Sequence, residues 1–84
     1  MGITTDNIDE KYRQVLEEEL RGLQRRREHD SSCTIDDLKG ILKNLYIFEG
    51  NNWDGRSELM ATSLAATIAA YERFIADWEK ESDR

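Results

Sequence analysis

Three stretches of the chain set apolar residues three and four positions apart, the mark of a helix with one buried face. In the first, Ile8, Tyr12, Val15, Leu16, Leu20 and Leu23 share a stripe, predicting a helix over about 6–28. Thr5 or Asp6 can cap it, and Asp9 and Glu10 sit in the first turn, where the helix dipole favours acids. Asp9 with Arg13 and Glu17 with Arg21 stand four apart in the favourable order. Arg25, Arg26 and Arg27 crowd the last turn, where the dipole favours cations.

The second helix, predicted over 35–49, opens on a local signal. Thr34 is followed three residues later by Asp37, a capping box with Asp in place of Glu. Cys33 before the cap and Leu38 after it form a hydrophobic staple, which makes Cys33 a packing residue first. Leu38, Ile41, Leu42 and Leu45 carry the stripe, and Gly50 stands where a left-handed C-terminal cap is expected. Leu45-Tyr46-Ile47-Phe48 covers most of the helix circumference, so no single neighbour can bury all four.

The third helix, predicted over 56–80 with Asp54 or Ser57 as cap, has Met60, Leu64, Thr67, Ile68, Tyr71, Ile75 and Trp78 on its main stripe and Phe74 beside it. Ala61, Ala65, Ala66, Ala69, Ala70 and Ala76 fill much of the rest. Apolar character on more than one face suits a central helix between two partners.

The fold class that follows is all-α, one helical domain over 1–84: a small three-helix bundle, or a helical hairpin plus a long third helix, completed by dimerisation. At about 1.5 Å per residue the outer helices span roughly 35 Å and the second about 20 Å. A short helix cannot cover both ends of two long ones. Either Ile8–Tyr12 or Phe74–Trp78 then stays partly bare, unless the second helix slides to the middle of the pair. Exposed apolar ends mark interfaces, and a symmetric dimer is the commonest way to close them. In an up-down-up arrangement the first and third helices are parallel, so Arg25–Arg27 come to the same end as Asp77, Glu79, Glu81 and Asp83. Gly22 and Gly40 would face each other in a hairpin of the first two helices, explained by close backbone approach or by two ordinary surface glycines.

Composition narrows the chemistry. Eighty-four residues with 38% apolar and 36% charged content and no proline make a small domain with a thin core. A net charge of −6 argues against nucleic acid or an anionic membrane as partner. One cysteine excludes an internal disulfide and a cysteine metal cluster, and fits a reducing compartment. With no membrane-length apolar run and no signal-peptide pattern, the expected location is cytoplasmic.

Candidate catalytic groups are scarce. His29, the single histidine, lies in a polar turn beside Glu28 and Asp30. One His and one Cys leave no ligand set for structural zinc, and a di-iron site lacks support because Arg26 stands where a Glu three before His29 would be needed. Glu17-Glu18-Glu19 point in directions about 100° apart and form a solvated face. Asn52-x-Asp54-Gly55 resembles part of a calcium loop, but Ala61 falls where the closing acid belongs. Phosphate-binding glycine patterns are missing, and no serine has a histidine placed to activate it. The expectation is a chain without enzymatic activity, cofactor or metal.

The remaining signal is the segment Glu49 to Arg56. Trp53 either folds back over the bundle end, or forms a recognition loop with Asn52 and Arg56, residue types common at binding hot spots. Tyr46, Phe48, Asn52, Trp53, Arg56, Phe74 and Trp78 are the candidate interaction residues. The expected function is a non-enzymatic protein–protein interaction module acting as a homodimer, with another protein as a further possible partner. The alternative is an acidic inhibitor or antitoxin-like protein masking a basic site.

Overall fold

The computed structural model describes residues 5–50 and 58–82, with side chains from Ile8 onward. It contains three helices: α1 (Thr5–His29), α2 (Ile35–Gly50) and α3 (Glu58–Ser82). Among the described residues only 30–34, the connection from α1 to α2, are non-helical, and no strand occurs. Each helix lies within two residues of the span its periodicity predicts.

Local chemistry sets the ends of α1 and α2. The Asp30 N–H donates to the Arg26 carbonyl at 2.8 Å, closing the last turn of α1. Asp30 then organises the connection. Its Oδ1 accepts from the Ser32 hydroxyl at 2.6 Å and from the Ser32 N–H at 3.0 Å. Those two bonds, aided by the Arg26 charge, hold its carboxyl below the ordinary value. At the start of α2 the Thr34 Oγ1 accepts from the Asp37 N–H at 3.1 Å, the first half of the expected capping box. Cys33 and Leu38 are both buried in one core cluster, as the staple requires.

Packing centres on α3, whose backbone approaches both α1 and α2 closely, whereas the backbones of those two stay further apart. Every residue from Thr62 to Tyr71 is buried or half-buried, so α3 is covered on more than one side. Leu23, Cys33, Leu38, Phe74 and Ile75 form the main core cluster, with Leu20, Ile35, Ile41, Leu42, Tyr71 and Trp78 packed around it. Ala66 and Ala70 are fully buried, which lets a neighbour approach α3 closely there. The α1 stripe from Ile8 to Leu23 lies wholly at buried or half-buried positions.

Two tertiary pairs fix the α2–α3 register. Lys39 Nζ donates to Glu79 Oε2 at 2.9 Å, and the Tyr46 hydroxyl donates to Glu72. Seven residues forward on α2 correspond to seven backward on α3, so the two run antiparallel. Gly50 therefore lies level with Ile68, and the first turns of α3 extend past the end of α2. The short 30–34 connection starts α2 at the C-terminal end of α1, so α2 covers the C-terminal half of α3 and cannot slide to its middle.

Three expectations are corrected by this arrangement. Phe74 and Trp78 are not a bare end: Phe74 is buried and Trp78 half-buried inside the chain's own core. Gly22 and Gly40 are not brought into close backbone approach: both are exposed, and a Cβ at either position would meet nothing within 4 Å, as ordinary surface glycines do. Gly50 ends α2 as an ordinary helical residue without left-handed backbone.

Candidate functional site

Large apolar side chains left exposed among the described residues are Tyr46, Ile47, Phe48, Leu59 and Met60. All belong to the last turn of α2 or the first turn of α3. Ile47 and Met60 are the barest, at 57% and 52% of their full exposure. The reason lies in the helical repeat. Leu38 is fully buried, and Ile47, nine residues later, is turned about 180° from it. Tyr46 and Phe48 flank Ile47 on either side. Tyr46 uses its hydroxyl on Glu72, and that bond first, with some burial and the nearby carboxylate charges, raises the phenol above its ordinary value.

The opposite end of the molecule is polar and internally matched. Arg27 Nη1 donates to Glu81 Oε2 at 2.8 Å, and its guanidinium lies 4.3 Å from the centre of the Trp78 ring. Trp78 in turn meets Phe74 edge-on, with ring centres 5.9 Å apart. Lys39 binds Glu79 beside this stack, and that bond raises the lysine above its ordinary value. The expected meeting of the arginine cluster with the acidic end of α3 is thus made by Arg27. Arg26 instead approaches Asp30 at 3.9 Å, and Arg25 lies on the exposed face with Glu18 and Arg21.

A shallow open concavity runs beside α1, lined by Asp9, Glu10, Arg13, Gln14 and Glu17. These side chains come from one helix face and do not converge on a point. His29 is exposed at the end of α1. Among the described residues no three His, Cys, Asp or Glu side chains come together to hold a metal ion, and no helix is long and apolar enough to cross a membrane.

Of the candidate interaction residues, Tyr46 and Phe48 are exposed near the end of α2, whereas Phe74 and Trp78 lie in and against the core. Asn52, Trp53 and Arg56 fall outside the described residues. Sequence reasoning passed over Leu59 and placed Met60 on the main apolar stripe, although both lie beyond the stretch of α3 that α2 covers. The helical repeat showed which face each occupies but not which stretch of α3 lies against α2. No protein-family model, curated protein or solved structure matches the chain.

Proposed function

We propose that this chain is a protein–protein interaction module without catalytic activity of its own, acting as a homodimer. The observation that carries the reading is the exposure of five large apolar side chains, Tyr46, Ile47 and Phe48 near the end of α2 and Leu59 and Met60 in the first turn of α3. Apolar side chains scattered singly are ordinary, but three large ones in succession, as at 46–48, mark a contact surface.

Light scattering coupled to size exclusion tests the proposal. The expected result is the mass of two chains at micromolar concentration, falling toward one on dilution. A mass of one chain across the whole range would remove the homodimer.

A further inference from the structure

We draw no further inference here: the strongest candidate, the apolar surface patch of Tyr46, Ile47 and Phe48 near the end of α2, already carries the function proposed above, and nothing in the structure shows what covers it.

Discussion

The Tyr46–Glu72 bond ties the last turn of α2 to α3 through one phenol. Its hydroxyl is the donor, so the bond requires a protonated tyrosine. The folded chain raises this group above its ordinary value near 10, first through the bond to Glu72. A raised value means that the folded state holds the proton more tightly than the unfolded one. The stabilisation is therefore complete below pH 10 or so and is lost as the pH climbs through the raised folded value. Thermal melts of the wild type and Tyr46→Phe should differ at neutral pH and converge in strong alkali. A constant difference across the alkaline range would show that the hydroxyl contributes nothing through its proton. Asp30 behaves in the opposite sense: its lowered carboxyl stabilises the turn above pH 4 or so and loses that effect as the pH falls through the folded value. Residue-scale features of this kind were unevenly legible. The Thr34–Asp37 cap is a contact between neighbours in sequence, so spacing exposes it. Tyr46 and Glu72 are 26 residues apart, and nothing in the helical repeat of either names the other.

At the scale of elements, the C-terminal ends of α1 and α3 are joined by one arginine with two uses. Arg27 pairs with Glu81 and covers the Trp78 ring, with its side chain 29% exposed. Glu81 is 61% exposed, so solvent screens the ion pair and its share is small, within the 0–1 kcal/mol usual for surface pairs. The stack over tryptophan adds about 0.5–1 kcal/mol and excludes water from the ring face. Arg27→Ala is expected to lower stability by about 1–2 kcal/mol, measured by urea denaturation, while Glu81→Gln costs a fraction of that. Arg27→Lys should recover the ion pair but less of the stack, because a point charge does not lie flat on an aromatic ring. Equal losses for Arg27→Ala and Glu81→Gln would assign the whole effect to the ion pair and none to the ring. The arginine cluster and the acidic end of α3 could be matched from helix direction alone, since parallel helices bring equal ends together. Which arginine makes the contact depends on the rotation of α1 about its axis. Arg27 continues the row that includes Leu20 and Leu23; Arg25 does not.

For the whole molecule, the short connection at residues 30–34 decides which half of α3 is covered. Five residues cannot carry α2 away from the end where α1 stops, so Phe74 and Trp78 are enclosed and Leu59 and Met60 are left out. The unequal helix lengths were plain in the sequence, and so was the need for one end to remain bare. The choice of end lay in the reach of the connection rather than in hydrophobicity, which marks Trp78 and Met60 alike.

If self-association completes the thin core, as proposed, stability depends on concentration. Among the described residues the buried apolar set is Leu23, Cys33, Leu38, Ala66, Ile68, Ala70, Phe74 and Ile75, and the two alanines contribute little area. When folding includes dimerisation, mass action favours the folded state as the protein becomes more concentrated. For a dimer of this size each tenfold rise in concentration should raise the melting midpoint by about 4 °C, from the usual unfolding entropy per residue. A monomer has no such dependence. Melts followed by circular dichroism over a hundredfold concentration range separate the cases, and Ile47→Asp should abolish the slope without removing the helices. Phe74→Asp should instead lose helix content at every concentration, because it places a charge where the chain has buried an aromatic ring. A flat midpoint in the wild type would mean that three helices around α3 suffice by themselves, and that the apolar end of α2 and α3 serves a different protein.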